Sequence, residues 1–325
     1  MRAALIEAYA SAPVVGTRPT AEGSTLVAVT VAPVVPLDLL CASGTSYFGE
    51  PALPYVPGVQ GVGRVVRSPS LEAGTRVWFA TSAGMAPGDG SLAETCAVAA
   101  DDVVPLSGEV ADEDAAAIGT SGIAAWMCLT WRAGLQPGER VLVLGAGGTV
   151  GQAAVAAARS LGAARVVAVC RSAAAEARAA RAGADEVVRV VEDETADPAA
   201  LGRRFVSAAG GAVDVVVDPV FGPSALAACH ALAPGGRLVN LGGLGGDVAE
   251  LSSAVLRGRS ASVLGYTNNA ITSAQRAVAL GEVLRLTASG ALVVDHHIHP
   301  LDDVAAAWAA ATRNDGVRPL VRAAP

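Results

Sequence analysis

The chain lacks lysine, so all 23 residues of the Lys and Arg class are arginine. This absence excludes catalysis through a lysine Schiff base and phosphate binding by a P-loop lysine. Because alanine, arginine and glycine are abundant, we attribute the missing lysine to genome composition rather than to function. The formal net charge is −7 and the arginines are dispersed, which argues against a nucleic-acid-binding surface.

Cysteine is also scarce, and no long apolar run is present. The five cysteines are scattered and never form a C-x-x-C pair, which predicts a reduced compartment without a disulfide framework or a cysteine-rich zinc finger. No apolar run approaches the roughly 18–20 residues of a membrane span. The first ten residues lack the apolar stretch and cleavage site of a secretory signal. We therefore expect a cytoplasmic protein without a membrane partner.

Apolar side chains, by contrast, are plentiful. Hydrophobic residues make up 52% of the 325 positions and charged residues 16%. This composition is sufficient for a large core and for two domains of ordinary size.

The most informative stretch is Arg140–Gly151, RVLVLGAGGTVG. Its unbroken apolar run, Val141–Leu144, is typical of a parallel strand buried on both faces, and an Ala-rich helix, Gly151–Leu161, follows. Strand, glycine turn and helix form the first half of a βαβ unit, whose helix N-terminus binds a pyrophosphate. The glycines fit G-x-x-G-x-x-G, because Val150 stands where the third glycine of G-x-G-x-x-G would fall. A tight turn without a ligand is the alternative. The predicted dinucleotide contacts of this stretch are Gly145, Gly147, Gly148, Thr149, Val150 and Gly151.

The two parts of the chain differ in pattern. Residues 1–115 are expected to be mostly β with many turns, whereas strands and Ala-rich helices alternate after Ala111. That alternation predicts an α/β, doubly wound parallel sheet. The last sixty residues are expected to return to the first domain. The expected domains are therefore 1–116 with 267–325, and 117–266. The expected strands of the alternating part are Arg165–Val169, Glu186–Val190, Val213–Val217, Gly236–Asn240 and Ala261–Gly265.

The end of the second strand of this sheet predicts the cofactor. Enzymes that prefer NAD hold the ribose hydroxyls with an acidic residue there, but this strand ends Val169-Cys170-Arg171-Ser172. Arg171 offers a permanently charged fork to a 2′-phosphate, and Ser172 adds a hydroxyl donor. The sequence therefore predicts NADP(H). The alternative is that Arg171 is a solvated loop residue.

Three segments carry a family resemblance: LCASGTSYFGEPALPYVPGVQGVGRVV, LQPGERVLVLGAGGTVGQAAVAAARSLGA and RAGADEVV. They resemble the medium-chain dehydrogenase/reductase superfamily, and within it the zinc-independent quinone oxidoreductase branch. The resemblance implies a GroES-like β domain combined with a Rossmann domain. It also implies contacts with the cofactor at Thr120, Asn240, Gly242, Gly243 and Asn268, although ordinary loop chemistry is the alternative for each.

Only one of the family's three zinc-ligating residues is present in this sequence. Cys41 stands at the first ligand position, but Val59 of Gly58-Val59-Gln60 stands where the second ligand, a histidine, would be. The third ligand would lie near Ala117. Because a catalytic zinc needs three protein ligands, we expect no metal. The histidines of Asp295–His299 are expected to lie on a surface strand.

Without a metal, the expected chemistry is hydride transfer from the cofactor to an electron-poor acceptor. The protein must then align the reactants and donate hydrogen bonds to the oxygen that gains charge. Tyr47 is the candidate donor, because it matches a pocket tyrosine of the relatives, and Gln60 is the candidate assistant. A loop anchor is the alternative role for Tyr47. Phe48, Tyr55 and Trp126 are expected to shape the pocket.

The leading hypothesis is an NADPH-dependent quinone reductase acting on a small molecule. The first alternative is an enone or enoyl-thioester reductase of the same fold, and the second is a non-catalytic NADPH-binding structural or regulatory protein. A zinc alcohol dehydrogenase is the least favoured. By analogy with the family, a homodimer is expected, with Ala261–Gly265 as the edge strand that pairs.

Overall fold

The computed structural model describes residues 1–19, 22–108, 110–191 and 197–323. The chain forms two compact units, Met1–Thr120 with Val294–Pro325 (unit 1) and Ser121–Val293 (unit 2). This division places the helix Ser273–Ala288 in unit 2, whereas the sequence-based boundaries put it in the first domain. Among the described residues, no helix is both long enough and apolar enough to span a membrane.

The helices and strands are numbered in chain order. Up to the start of the glycine turn they are β1 (Arg2–Leu5), β2 (Val14–Thr17), β3 (Thr25–Pro33), α1 (Pro36–Ala42), β4 (Gln60–Arg67), β5 (Arg76–Ala80), β6 (Thr95–Val98), β7 (Val103–Pro105), α2 (Asp112–Met127) and β8 (Arg140–Val143). After it come α3 (Thr149–Ser160), β9 (Arg165–Cys170), α4 (Ala173–Arg181), β10 (Glu186–Arg189), α5 (Pro198–Ala209), β11 (Val213–Asp218), α6 (Gly222–Ala231), β12 (Leu232–Asn240), α7 (Ser253–Arg259), β13 (Ser262–Gly265), α8 (Ser273–Ala288), β14 (His296–Pro300), α9 (Val304–Arg313) and β15 (Arg318–Arg322).

Unit 1 is built on a β-sheet in the order β14-β15-β3-β4-β5-β7, with β6 also paired to β3. In β3, Val27, Val29 and Val31 are buried, while the residues between them are half-buried. This period of two is what a strand with one face on the core requires. The core beside the sheet includes Phe79 and the aromatic Trp308 of α9. The closing segment of the chain thus joins the first sheet through β14 and β15, as expected.

Unit 2 is a parallel sheet in the order β10-β9-β8-β11-β12-β13. The runs Val141–Val143, Val166–Ala168 and Val215–Val217 are fully buried, because helices cover both faces of the sheet. The strand order reverses between β8 and β11, so a crevice opens at the carboxyl ends of these two strands. The predicted doubly wound α/β fold is confirmed. β13 lies at the edge of this sheet, where the sequence analysis puts it, and its pairing with a second copy stays a prediction.

Three strands are not predicted from the sequence. β15 contains Pro319 and two arginines, and a proline within a run argues against a strand. Pro319 lacks an N–H, but its carbonyl oxygen still accepts the N–H of Val34 (3.0 Å), directly after β3. β2 and β7 are missed because each is short and little buried.

A buried carboxylate joins α1 to the segment before β4. Asp38 Oδ1 accepts the N–H groups of Gly58 (3.1 Å) and Val59 (3.0 Å), and Oδ2 accepts that of Val35 (2.8 Å). Burial raises the pKa of Asp38 to about 6, against these hydrogen bonds and the charge of the buried Arg318. The carboxylate holds the loop, but ionising it costs free energy.

We predict that replacing Asp38 by Asn reveals this cost as a pH dependence. Because the pKa of Asp38 is raised above its unfolded value of 3.8, its contribution to stability is full below that value and is lost as pH rises through about 6. The free energy of unfolding of the wild type relative to Asp38→Asn should fall by about 3 kcal/mol from pH 3.5 to pH 7. Urea unfolding at each pH measures it. A difference that stays flat or rises with pH would show that the three N–H groups and Arg318 outweigh burial.

Candidate functional site

The glycine turn connects β8 to α3 at the point where the strand order of unit 2 reverses. Gly145 has φ +60°, a conformation that favours glycine, and Gly148 is the N-cap of α3 with φ −80°. The helix begins at Thr149, two residues before the predicted start. No side chain caps it, so the N–H groups of its first turn have no intrahelical acceptor. They form an anion-binding helix terminus at the carboxyl edge of the sheet.

Steric contacts separate the roles of the glycines. A Cβ on Gly147 would lie 2.3 Å from Ala175 Cβ on α4, and one on Gly151 would lie 2.4 Å from the Gly145 oxygen. At Gly148 the nearest such atom is the Gly145 oxygen at 3.4 Å, an ordinary van der Waals distance, so no neighbour crowds this position. Close packing therefore rests on Gly147 and Gly151, whereas Gly148 leaves room for a bound group.

Side chains of the flanking helices fix the turn. The carbonyl oxygen of Gly147 accepts hydrogen bonds from Gln152 Nε2 (3.1 Å) and Arg178 Nε (2.9 Å). Gln152 is fully buried in α3, and Arg178 projects from α4. Neither residue is predicted from the sequence, because a polar residue in an Ala-rich helix does not indicate what it contacts. The result is a rigid cradle whose N–H groups keep a fixed direction.

Arg171 and Ser172 follow β9, as predicted. Arg171 is exposed and makes no hydrogen bond or ion pair with any residue that the structure describes. Ser172 Oγ accepts the N–H of Ala175 (3.2 Å) and so caps α4. Ser172 therefore has a structural task as well as a hydrogen that it can still donate. The guanidinium of Arg171 is left for solvent or a ligand.

Asn240 ties together the loops that follow β11 and β12. Its Nδ2 donates to the carbonyl oxygens of Asp218 (3.2 Å) and Gly242 (2.7 Å). A Cβ on Gly242 would lie 2.8 Å from the Pro219 oxygen, and one on Gly243 would lie 2.3 Å from Asp247 Oδ1. These predicted cofactor residues are brought to the carboxyl edge of the sheet. The same contacts are also a structural reason, independent of any cofactor, for an asparagine and two glycines at these positions.

A second buried carboxylate, Asp218, shapes the turn after β11. Its Oδ1 accepts the N–H groups of Val220 (2.9 Å) and Phe221 (2.7 Å), and burial raises its pKa. Phe221 has φ +60° and ψ −154°, a region otherwise almost confined to glycine. The strained turn brings Val220 against Gly145, since a Cβ there would lie 2.8 Å from Val220 Cγ2. Asp218 thus positions the wall of the crevice opposite the glycine turn.

Asn268 follows β13 and is held by a tyrosine. Tyr266 donates its hydroxyl hydrogen to Asn268 Oδ1 (2.7 Å), and burial raises the pKa of Tyr266. The ring of Trp131 packs edge-on against Tyr266, with the centroids 6.2 Å apart. The placement of Asn268 at this strand end agrees with the resemblance, and its contact with a cofactor stays a prediction.

In unit 1, Tyr47 lies on the loop after α1. Its side chain is 76% exposed, its ring centroid is 4.2 Å from that of Phe48, and its hydroxyl has no partner among the described residues. Phe48 and Tyr55 line a cavity of about 510 Å³ between segments 48–55 and 84–89. Trp126 is buried in unit 2 and does not line this cavity.

Gln60 is placed differently from the expectation. Its side chain is fully buried, Oε1 accepts the N–H groups of Trp78 Nε1 and Thr120 (both 2.8 Å), and Nε2 donates to the Ala116 oxygen (3.4 Å). Both ends of the carboxamide are engaged by unit 1. One hydrogen of Nε2 has no partner among the described residues, but the side chain is fully buried. These contacts give Gln60 a structural role, and its expected role as an assistant in catalysis stays a prediction.

The residues at the family's zinc positions do not form a metal site. Cys41 is buried, and burial raises the pKa of its thiol to about 11, so it is a neutral thiol at physiological pH. Val59 cannot ligate. Among the described residues, no three His, Cys, Asp or Glu side chains are grouped so that they could hold a metal ion. The rings of His297 and His299 are 4.7 Å apart on one face of β14, as strand geometry predicts.

Comparison with known proteins identifies the family. Residues 21–108 match the alcohol dehydrogenase GroES-like domain, and residues 149–283 match the zinc-binding dehydrogenase family. The chain is 32% identical over 231 residues to the bovine (Bos taurus) quinone oxidoreductase-like protein 2. The matched residues are 70% of this chain and 63% of that protein, so the chain spans less than two thirds of this relative. A polyketide synthase subunit of Mycobacterium tuberculosis is 34% identical over 172 residues, which are 53% of this chain and 7% of that one.

A solved structure extends the likeness to the whole chain. The quinone oxidoreductase from Thermus thermophilus, whose structures include a complex with NADPH, superposes with a TM-score of 0.82 at 26% identity, covering 99% of this chain and all of that one. The chain belongs to the medium-chain dehydrogenase/reductase superfamily, in its quinone oxidoreductase-like branch. The expected combination of a GroES-like domain with a Rossmann-type parallel sheet is confirmed.

Proposed function

We propose that the protein is an NADPH-dependent, metal-independent oxidoreductase that transfers a hydride to a quinone or a similar electron-poor carbonyl compound. The observation that carries the proposal is the carboxyl edge of unit 2. There an uncapped helix N-terminus, the uncrowded Gly148 and an Arg171 that has no partner among the described residues lie on two consecutive βα turns. The NADPH complex of the Thermus thermophilus relative supports this assignment.

The residues present fit a phosphorylated dinucleotide. The first-turn N–H groups of α3 and the space beside Gly148 suit a pyrophosphate, because both a Cβ and a capping side chain are missing there. Arg171 carries a permanent charge without a partner among the described residues, and no acidic residue stands beside it at the end of β9. A 2′-phosphate would pair with this guanidinium. Bound NADPH supplies the hydride.

The protein's own contribution to the chemistry is positioning and hydrogen bonding. Tyr47 retains a hydroxyl hydrogen that no described residue accepts, so it is able to donate to the oxygen that gains charge. Metal independence rests on Val59 at the second ligand position and on the neutral, buried thiol of Cys41.

The similarity to a polyketide synthase subunit favours a second acceptor class. An enoyl thioester, like a quinone, has a carbon that accepts hydride because a carbonyl group withdraws its electrons. The proposed cofactor site at the carboxyl edge of unit 2 is the same for either acceptor. Only the rates measured with quinones and with enoyl thioesters therefore distinguish the two classes.

The direct test is consumption of NADPH with a panel of quinones, simple enones and one enoyl thioester, with NADH in parallel. We expect turnover with NADPH and at least one quinone. A fastest rate with the thioester would select the second class. Saturable NADPH binding without turnover of any acceptor would identify a non-catalytic binding protein, and failure to bind either cofactor would refute the proposal.

Replacing Arg171 by Ala should weaken NADPH binding and leave NADH binding unchanged. Loss of a hydrogen-bonded ion pair with the 2′-phosphate should raise the Kd for NADPH roughly 10- to 100-fold, in line with the 1.5–3 kcal/mol of hydrogen bonds to charged groups. Fluorescence titration of both cofactors measures it. Arg181→Ala, which removes the same charge at the other end of α4, is the matched control. Equal effects of Arg171→Ala on both cofactors would contradict recognition of the 2′-phosphate.

Replacing Tyr47 by Phe removes one hydroxyl group from an exposed ring. If this group donates to the acceptor oxygen, kcat should fall at least about tenfold, while the Kd for NADPH stays at the wild-type value. Steady-state kinetics and cofactor titration separate the two quantities. An unchanged kcat would assign Tyr47 to the loop-anchor alternative.

A further inference from the structure

The helix α2 is interrupted at Gly119. The backbone there has φ −5° and ψ −106°, which is outside the helical region. In a continuous helix, the N–H of Thr120 would donate to the carbonyl oxygen of Ala116, four residues earlier. The interruption therefore separates the N–H of the half-buried Thr120 from the oxygen of the buried Ala116, and each would cost free energy if left unpaired.

The carboxamide of Gln60 occupies the place of the missing bond. Its Oε1 accepts the N–H of Thr120 at 2.8 Å, and its Nε2 donates to the oxygen of Ala116 at 3.4 Å. A primary amide is the side-chain group that offers both a donor and an acceptor at this length. A carboxylate would accept the N–H of Thr120, but it could not donate to Ala116.

The surroundings hold the carboxamide in this place. The indole N–H of the fully buried Trp78 donates to the same Oε1 at 2.8 Å, and Ser91 Oγ donates to the backbone oxygen of Gln60. A Cβ on Gly119 would lie 1.9 Å from Gln60 Oε1 and 2.4 Å from Trp78 Nε1. A glycine is thus required where the helix meets the side chain that replaces its hydrogen bond.

We propose that Gln60 is a positioning residue that fixes Thr120 for cofactor binding by bridging the interrupted helix. This proposal rests on the proposed function, together with the contact between Thr120 and the cofactor that the family resemblance implies. Gln60 itself touches neither cofactor nor substrate. It acts through the backbone of Thr120, which is the last residue of the first segment of unit 1.

The test replaces Gln60 by Glu, which keeps Oε1 but has Oε2 in place of the amide nitrogen, so that it donates to Ala116 only when protonated. Burial raises the pKa of an introduced carboxyl, whereas the N–H groups of Trp78 and Thr120 that donate to it lower this pKa. The donor to Ala116 is therefore present at acid pH and is lost as the carboxyl ionises towards pH 8. We expect a Kd for NADPH at least about tenfold above wild type at pH 8, consistent with an unpaired buried acceptor, and close to wild type at pH 5.5. Asp38, which accepts hydrogen bonds from the neighbouring Gly58 and Val59, also ionises between these two pH values. Because it is present in the wild type and in the variant, the ratio of their Kd values at each pH removes the effect of its ionisation.

Gln275→Glu is the matched control. Gln275 lies in α8 and acts as an acceptor for the N–H of Thr272 (2.9 Å), which a carboxylate also accepts. Its Kd ratio to wild type should stay near one at both pH values. A Gln60→Glu variant that is folded by circular dichroism and binds NADPH as the wild type does at pH 8 would overturn the proposal.

Two further measurements cover the remaining cases. In a double-mutant cycle at pH 8, Gln60→Glu should add little to the effect of Thr120→Ala, because the backbone bond to Gln60 serves to place the Thr120 side chain, whereas additive effects would overturn the proposal. Should Gln60→Glu fail to fold, hydrogen exchange in the wild type decides: the amide of Thr120 must be protected and become more so with NADPH. A wild type that binds no NADPH defeats the proposed function as well, whereas a defect in the Gln60 experiments alone leaves that function standing.

Discussion

A hydrogen-bonding group that is buried must find its partner inside the protein, and this constraint determines how the loops of both units are held. Asp38 meets it with three backbone N–H groups, and Asp218 meets it at Oδ1 with two. Gln60 and Asn240 each join two backbone segments through one carboxamide. In every case a short polar side chain fixes a piece of irregular backbone that a helix or strand cannot satisfy. The loops thereby gain defined positions without side chains of their own in the core.

Glycines that allow close packing are the second feature that holds these turns in place. Gly119 admits the carboxamide of Gln60, Gly147 admits α4, and Gly151 admits the start of the glycine turn. A Cβ at any of these three positions would lie between 1.9 and 2.4 Å from its nearest neighbour, which is too close for a side chain. The polar side chains supply the hydrogen bonds, and the glycines supply the space in which those bonds form. Rigidity of the turns therefore follows from pairs of residues that are far apart in the sequence.

The fold is largely predictable from the sequence because its strands in unit 2 are apolar runs between glycine-rich turns. The predicted Val213–Val217 differs from β11 by one residue, and the edge position of β13 agrees with the prediction. The site is predictable only in part. The glycine turn and Arg171 depend on local order along the chain, whereas the partners of Gln60 come from β5 and α2. A contact between residues 60 and 120 leaves no pattern in the sequence around either one.

The same reasoning separates groups that build the site from groups that are left over to recognise a ligand. Gln60 Oε1 accepts two hydrogen bonds from the protein, Asn240 Nδ2 donates two, and Ser172 Oγ accepts one that caps α4. Arg171 and the hydroxyl of Tyr47 have no partner among the described residues, and the first-turn N–H groups of α3 have no side-chain cap. A ligand gains free energy chiefly from groups of this second kind, since breaking an internal bond costs what the new one provides. The cofactor should therefore be recognised by its phosphates, and the acceptor by a single hydroxyl donor.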